Sequence, residues 1–544
     1  MGCRQGPLGE GLPTPPSSRR TWRKLPAIVA LVAALAPAVA AIWSVPTFVT
    51  QDGPSHLYNT HILLRSLDPS SPVRNFFDVR WEPLPNWAGH LSLMGLMTVL
   101  PPRDADRVMT TLTLLSPAVG VFWLRGRVAG GNGMATAALL AALLAMNEAW
   151  LFGFTSFLMG AALFPVTLGI GWSSRNTEHP WRRAGVLAGL LTLGYFCHLV
   201  SLGLTTLGLL VLEAFTPGPR RIRRAFSTLA GLSPLGPLGL LYLGLMRRGG
   251  GELSPEWKHL DRVVSPRAWG KQLSWVDPIS LARRDVLPFL EGQASRWFAL
   301  ATPVVWLGAA LLILIVIAAF RRDELERRGW WVLSALLLLG GAASPDTFGP
   351  THGEYLQQRI VLLGLVALVP VLPLGDRRSH PATFLLCGAV MFQSAWVCNY
   401  SRISERTAGS IARVAKFVGS KPGRMILMLS GARTPFEANP LLHADGLLGV
   451  GSELILWNDY ETRYYYFPVH FREGLDHPDT VELERIALSE APDRVERWAG
   501  LLERFHSVTD FVVSWGHDPR MDEVTERWYR VVHEDGPARV YRRR

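Results

Sequence analysis

Asp52 and His56, in the run Thr50-Gln51-Asp52-Gly53-Pro54-Ser55-His56, are an acid and an imidazole four residues apart. Positions i and i+4 share a helix face, so a helix opening near Gly53 turns both side chains toward one ligand. A carboxylate held there can take a proton from an attacking hydroxyl while the imidazole orients it. The same residues also suit a structural task. Asp before Gly-Pro is a good helix N-cap with proline in the first turn, and capping and catalysis are compatible.

Three further places hold polar residues that an apolar context does not explain. Glu148 follows Asn147 and precedes an aromatic stretch from Trp150 to Phe157. The aromatics read as an interfacial belt, but an acid at the rim of a bundle needs solvent or a partner. His198 stands alone between two apolar runs, where a satisfied structural role competes with ligand binding. The segment Asp346 to Arg359 carries His352, Glu354 and Arg359 just ahead of an uncharged run. Arg359 reads either as a snorkelling side chain or as an anion binder at a helix start.

The elements that must position these residues are membrane spans. Hydrophobic residues make up 49% of the 544 and charged residues 18%. Apolar stretches of roughly 17 to 25 residues recur, the length needed to cross about 30 Å of hydrocarbon. The expected spans are 25–43, 105–124, 133–149, 154–172, 184–197, 199–215, 226–246, 297–320, 330–344, 360–375 and 381–399, eleven in all. Arginine clusters at Arg125/Arg127, Arg175 with Arg182/Arg183, Arg220 to Arg224, Arg321/Arg322 with Arg327/Arg328, and Arg377/Arg378 should be cytoplasmic by the positive-inside rule. That alternation splits 184–215 into a hairpin turning at His198. It also makes Asn86 to Leu100 a juxtamembrane helix rather than a span.

The expected organisation is a disordered cytoplasmic tail over 1–24, a transmembrane domain over 25–400 with a first outer loop at 45–102, and a soluble domain over 401–544. With eleven spans the last part lies outside the cytoplasm. Helical patterns at Thr407–Val418 and Pro492–Phe505 alternate with short β-rich runs at Arg424–Leu429, Thr509–Trp515 and Ala538–Tyr541. That pattern predicts a small α/β domain. The polar loop Arg247 to Arg296, with Trp257, His259, Trp269 and Trp275, reads as a lid or a solvated connection.

The net charge of +11 comes almost wholly from arginine in the clusters between spans. It is therefore assigned to membrane topology rather than to nucleic-acid binding. Cys3, Cys197, Cys387 and Cys398 have no metal-ligand spacing and imply no disulfide framework.

A first span, an acid directly after it in a long outer loop with juxtamembrane helices, and a helix opening near Arg107 and ending at Arg125/Arg127 together resemble the GT-C glycosyltransferases. Asp52-Gly53-Pro54-Ser55-His56-Leu57-Tyr58 is similar to the first-loop signature of uncharacterised bacterial members. The resemblance implies a mostly α, polytopic membrane helix bundle with a C-terminal extracytoplasmic α/β domain, in the bacterial cytoplasmic membrane. It implies inverting transfer of a hexosyl or pentosyl group from a polyprenyl-phosphate carrier to a glycan, lipid or protein acceptor on the outer face. Asp52 would be the base, His56 and Glu148 substrate-orienting groups, and Arg359 with His198 the phosphate binders; His352 and Glu354 complete the expected substrate contacts. The Asp-x-Asp pair of some members is absent, so no metal cofactor is expected. The competing reading is a non-catalytic membrane protein, either a transporter of lipid-linked glycans or a scaffold. Transport favours charged or broken sites at mid-membrane, whereas the ionisable residues here gather at one rim.

Overall fold

The computed structural model describes residues 25–218, 220–251, 254–256, 303–319, 327–349, 354–418, 423–430 and 438–544. The expectations for the tail over 1–24, for His352 and for Trp257, His259, Trp269 and Trp275 fall outside the described residues.

The chain is a polytopic membrane helix bundle with a C-terminal sheet. The described parts of most expected spans are helical, but 226–246 is broken into two helices at Ser233 and Pro234 and 360–375 is helical only to Leu368. Helix α1 (Leu25–Trp43) opens the bundle, and the first outer loop carries α2 (Gly53–Ser66) and α3 (Trp87–Met97). Then come α4 (Pro102–Ala129), α5 (Met134–Ala145), the short α6 (Glu148–Phe152) and α7 (Thr155–Ser173). Next, α8 (Pro180–Cys197) and α9 (Leu199–Phe215) are separated by His198, and α10 (Arg221–Leu232) and α11 (Leu235–Arg248) by Ser233 and Pro234. Last are α12 (Pro303–Ala319), α13 (Arg328–Ala343), α14 (Leu356–Leu368) and α15 (His380–Arg406). Among the described residues, six helical stretches are long and apolar enough to cross a membrane by length and composition. Helices that are apolar nearly all round bury against each other or face lipid, which is why they form without a polar face.

The bundle has two unlike ends, and α4 measures the distance between them. Asp106 near its start lines a cavity with His56 and His90, whereas Arg125 near its finish donates to the carbonyls of Val369, Pro370 and Leu372. Residues 106 to 125 of a helix span roughly 28 Å. Those carbonyls follow the last turn of α14, which carries Arg359 in its first turn at the other end. Arg125 and the site residues therefore occupy opposite ends.

The C-terminal part continues with α16 (Ala408–Val418), β2 (Gly423–Leu429), α17 (Gly446–Gly449), β3 (Leu454–Leu456) and β4 (Val469–Phe471). It closes with α18 (Thr480–Leu488), α19 (Arg494–Phe505), β5 (Phe511–Trp515), α20 (Pro519–Glu526), β6 (Tyr529–Asp535) and β7 (Ala538–Arg543). The five-stranded sheet has the order β3-β2-β5-β7-β6. Both neighbours of β2 run parallel to it, while β5–β7 and β7–β6 are antiparallel.

The first loop and the C-terminal part share one apolar core. Tyr58, Ile62 and Leu63 of α2 are buried in the same cluster as Met425, Leu456, Trp457 and Val512. The loop also supplies a strand, β1 (Phe77–Val79), which pairs antiparallel with β4. Burying each large apolar side chain is worth about 1.5–3 kcal/mol, so this joint is held by packing as well as by its polar contacts. Meanwhile α15 runs unbroken across the boundary expected at residues 400 and 401.

Candidate active site

Asp52 stands at the N-terminus of α2 but does not cap it. Its backbone is helical and its carboxylate makes no capping hydrogen bond. Thr50 supplies the cap instead, its Oγ1 accepting from the Gly53 N–H at 3.2 Å. The freed carboxylate is 7% exposed, and both Gln51, at 3.4 Å, and the Tyr460 hydroxyl donate hydrogen bonds to it. Its own N–H donates to the Phe152 carbonyl at 2.9 Å, tying the site to α6. Gly153 follows at φ 80°, where an added Cβ would stand 2.4 Å from Thr50 Oγ1. Only glycine suits that left-handed, crowded position. Burial pushes the Asp52 carboxyl up to about 6, and the nearby charge of His56 limits the rise.

The C-terminal part supplies the other side of this site. His443 Nε2 lies 3.6 Å from Asp52 Oδ1, with its ring stacked on Tyr460 at 4.2 Å between centroids. Burial, reinforced by Arg463, pushes His443 down to about 3, so it is a neutral imidazole. Glu461, fully buried, bridges two histidines of the first loop: His56 Nδ1 is 2.6 Å from its Oε1 and His90 Nε2 is 2.9 Å from its Oε2. His56 Nε2 faces the Gly153 carbonyl at 3.2 Å, which fixes a proton on that nitrogen. Burial alone would lower the pKa of His56, but Glu461 and then Asp52 outweigh it and raise it to about 9. Glu461 is correspondingly held near 2: burial opposes its charge, while His56 and His90 stabilise it. Its two oxygens and the facing His56 and His90 nitrogens are a donor set that can hold a metal ion.

Arg359 and His198 meet as a pair. Arg359 Nη1 donates to His198 Nε2 at 2.7 Å. The guanidinium lies 4.7 Å from the Phe154 ring centroid and 5.2 Å from that of Phe157, so a cation is stabilised on the aromatic faces after α6. Asp52 and Tyr466 both lie close enough to act on Arg359 electrostatically. The structure thus gathers Asp52, His56, His198 and Arg359 at one end of the bundle. Glu148 is buried at the start of α6, and Glu354 is exposed two residues before α14.

Sequence reasoning missed His90, His443, Asp459, Tyr460 and Glu461. Asp459 accepts from Ser55 at 3.4 Å and from Asn59 at 2.8 Å, a further tie between the C-terminal part and α2. The available signal was the run Asp459-Tyr460-Glu461-Thr462-Arg463-Tyr464-Tyr465-Tyr466, dense in acids and phenols inside a supposedly ordinary soluble domain. Nothing in its spacing points to α2, from which it is separated by about 400 residues.

Neither the family models nor the curated proteins contain a match to this chain. Among solved structures, arabinofuranosyltransferase AftD from mycobacteria superposes with a TM-score of 0.50 and 15% identity, over 96% of this chain and 40% of that one. This chain therefore spans less than half the length of AftD. ArnT from Cupriavidus metallidurans, solved bound to undecaprenyl phosphate, gives a TM-score of 0.44 and 12% identity, over 95% of this chain and 98% of that one. At 15% identity the superposition on AftD shows a shared fold.

Proposed function

We propose that this chain is a glycosyltransferase of the bacterial cytoplasmic membrane that moves a sugar from a polyprenyl-phosphate donor to a hydroxyl-bearing glycan, lipid or protein. The transfer is of a hexosyl or pentosyl group with inversion. The acceptor oxygen attacks the anomeric carbon as Asp52 takes its proton, the sugar–phosphate bond breaks, and polyprenyl phosphate leaves with its charge held by Arg359. As written, this step consumes no cofactor. The reaction faces the outer side, because Arg125, Arg183 and Arg224 occupy the opposite end and the positive-inside rule makes that end cytoplasmic. Residues 401–544 then lie outside.

One observation carries the reading: Asp52 is a buried carboxylate that leaves its capping duty to Thr50. Burying a charged carboxylate costs free energy that the hydrogen bonds from Gln51 and Tyr460 offset only in part, and the rise of the carboxyl to about 6 reflects the remainder. The paired aromatic rings under Arg359 provide what a lipid-linked phosphate needs, an anion grip beside apolar surface. Because both ring nitrogens of His56 are engaged, it serves Asp52 electrostatically rather than by touching the sugar. Glu148, His352 and Glu354 remain proposed as substrate contacts.

Mass spectrometry of cell-envelope glycans from cells with and without the gene tests this. A glycan should lose one sugar in the deletion, regain it with the wild-type chain, and not regain it with Asp52→Asn present in the membrane at equal level. Unchanged glycans in the deletion would refute the reading.

A further inference from the structure

We propose that His56, His90 and Glu461 form a binding site for one divalent transition metal of the zinc class, with a fourth position open to the cavity beside Asp106. Three segments far apart in sequence deliver the donors: α2, α3 and the turn Tyr460–Arg463. One ligand atom from each residue lies within 4.8 Å of the others. Two imidazoles and one carboxylate are the donor set of many zinc sites that keep a position open for water or substrate. Imidazole ligands disfavour magnesium and calcium and suit zinc, cobalt and nickel.

The orientation of His56 gives a second argument. Its Nε2–H is committed to the Gly153 carbonyl, so its Nδ1 faces Glu461 Oε1, 2.6 Å away, across a proton whose place a metal ion can take. Two lone pairs cannot face each other at that distance unless a cation lies between them, either a proton or a metal ion. A carbonyl on the far ring nitrogen is also the outer partner that metal-bound histidines regularly have, and it fixes the tautomer that leaves Nδ1 free to ligate. Ligand atoms around a tetrahedral zinc stand roughly 3.3 Å apart. The contacts of His56 and His90 to the two oxygens of Glu461, 2.6 and 2.9 Å, would open by about 0.7 and 0.4 Å to reach that spacing. A small cavity lined by His56, His90 and Asp106 lies beside the two imidazoles, where the fourth position would fall. This goes against the expectation drawn from the missing Asp-x-Asp pair. It does not rest on the transferase reading, since occupancy is measured without turnover.

The test uses the full-length protein in detergent, stripped with a chelator and equilibrated separately with zinc and with cobalt. Plasma mass spectrometry should find about one metal per chain after gel filtration. The cobalt form should show d–d bands of a nitrogen- and oxygen-ligated tetrahedral ion with no thiolate charge-transfer band. His90→Gln and Glu461→Gln should each lose the ion. Retention of less than roughly a tenth of an equivalent by the wild type would overturn the site. So would a thiolate band, which would put the ion on one of the four cysteines, or full occupancy in either variant once folded. If both variants fail to fold, the stoichiometry and the cobalt spectrum of the wild type decide alone.

Discussion

Two carboxylates in this molecule are each gripped by two basic side chains, and they teach opposite lessons. Glu213, at the basic end of the bundle, lies 2.5 Å from Arg224 Nε and 3.6 Å from Arg183 Nη2. Arg183 is held in turn by Ser227 and Thr228 at 2.6 and 2.8 Å. All these partners come from three consecutive helices, α8 to α10, and arginine stays charged at any ordinary pH. Glu461 is gripped by two imidazoles some 370 to 405 residues away, in a joint between two regions of the chain, with a cavity alongside and Asp52 one helical turn off. The first arrangement is a local staple with permanent charges. The second joins distant segments through groups that exchange protons, and a fold gains little from that unless the site works.

The comparison is broken most severely at Asp52. Asp52→Asn should insert and fold, since Thr50 keeps the cap, but lower the turnover number for sugar transfer by roughly two to four orders of magnitude in a detergent assay. Glu461→Gln and Glu213→Gln should each destabilise by about 3–5 kcal/mol in chemical denaturation, because each strands buried cations. They should differ in activity: turnover per folded molecule falls in Glu461→Gln and is retained in Glu213→Gln. Equal retention in both would make Glu461 a staple too. Arg359→Lys should weaken lipid-linked donor binding about tenfold, by losing the planar fork while keeping the charge, as measured in nanodiscs. The smallest effect is on pH. A base works deprotonated, so kcat/KM should climb as pH rises through about 6 and then level off. His56, His443, Tyr460, Gln51, Glu461 and Arg359 are the polar groups acting on that carboxyl, and any cation held by His56 and Glu461 would move the inflection lower.

The membrane helices were legible because their signal is local. Length, low charge and flanking arginines locate α1, α4 and α7 within a few residues, and the break at His198 follows from counting charge across 184–215. Half of the site was legible for the same reason: Asp52 and His56 share one turn, and Arg359 opens a helix. Glu461, His443 and Tyr460 were not, because what makes them matter is tertiary. The pairing of Phe77 with Phe471, and the packing of Trp457 near Tyr58 in one core, bring them to α2. No periodicity encodes those contacts. Nor could the sequence tell whether Asp52 caps α2, since Asp-Gly-Pro suits that role; the Thr50 to Gly53 hydrogen bond shows that Thr50 does so instead.

The central claim is that the Asp52 and Arg359 end of the bundle turns over a lipid-linked sugar rather than carrying it. The direct measurement is the release of free polyprenyl phosphate by the purified full-length chain, given polyprenyl-phosphate-linked sugars and membrane extracts as acceptor source. The account predicts release equal to the sugar gained by the acceptor, with Asp52→Asn binding donor but releasing almost none. Donor that binds wild-type protein and crosses the bilayer of a proteoliposome intact, with no free polyprenyl phosphate formed, would contradict it.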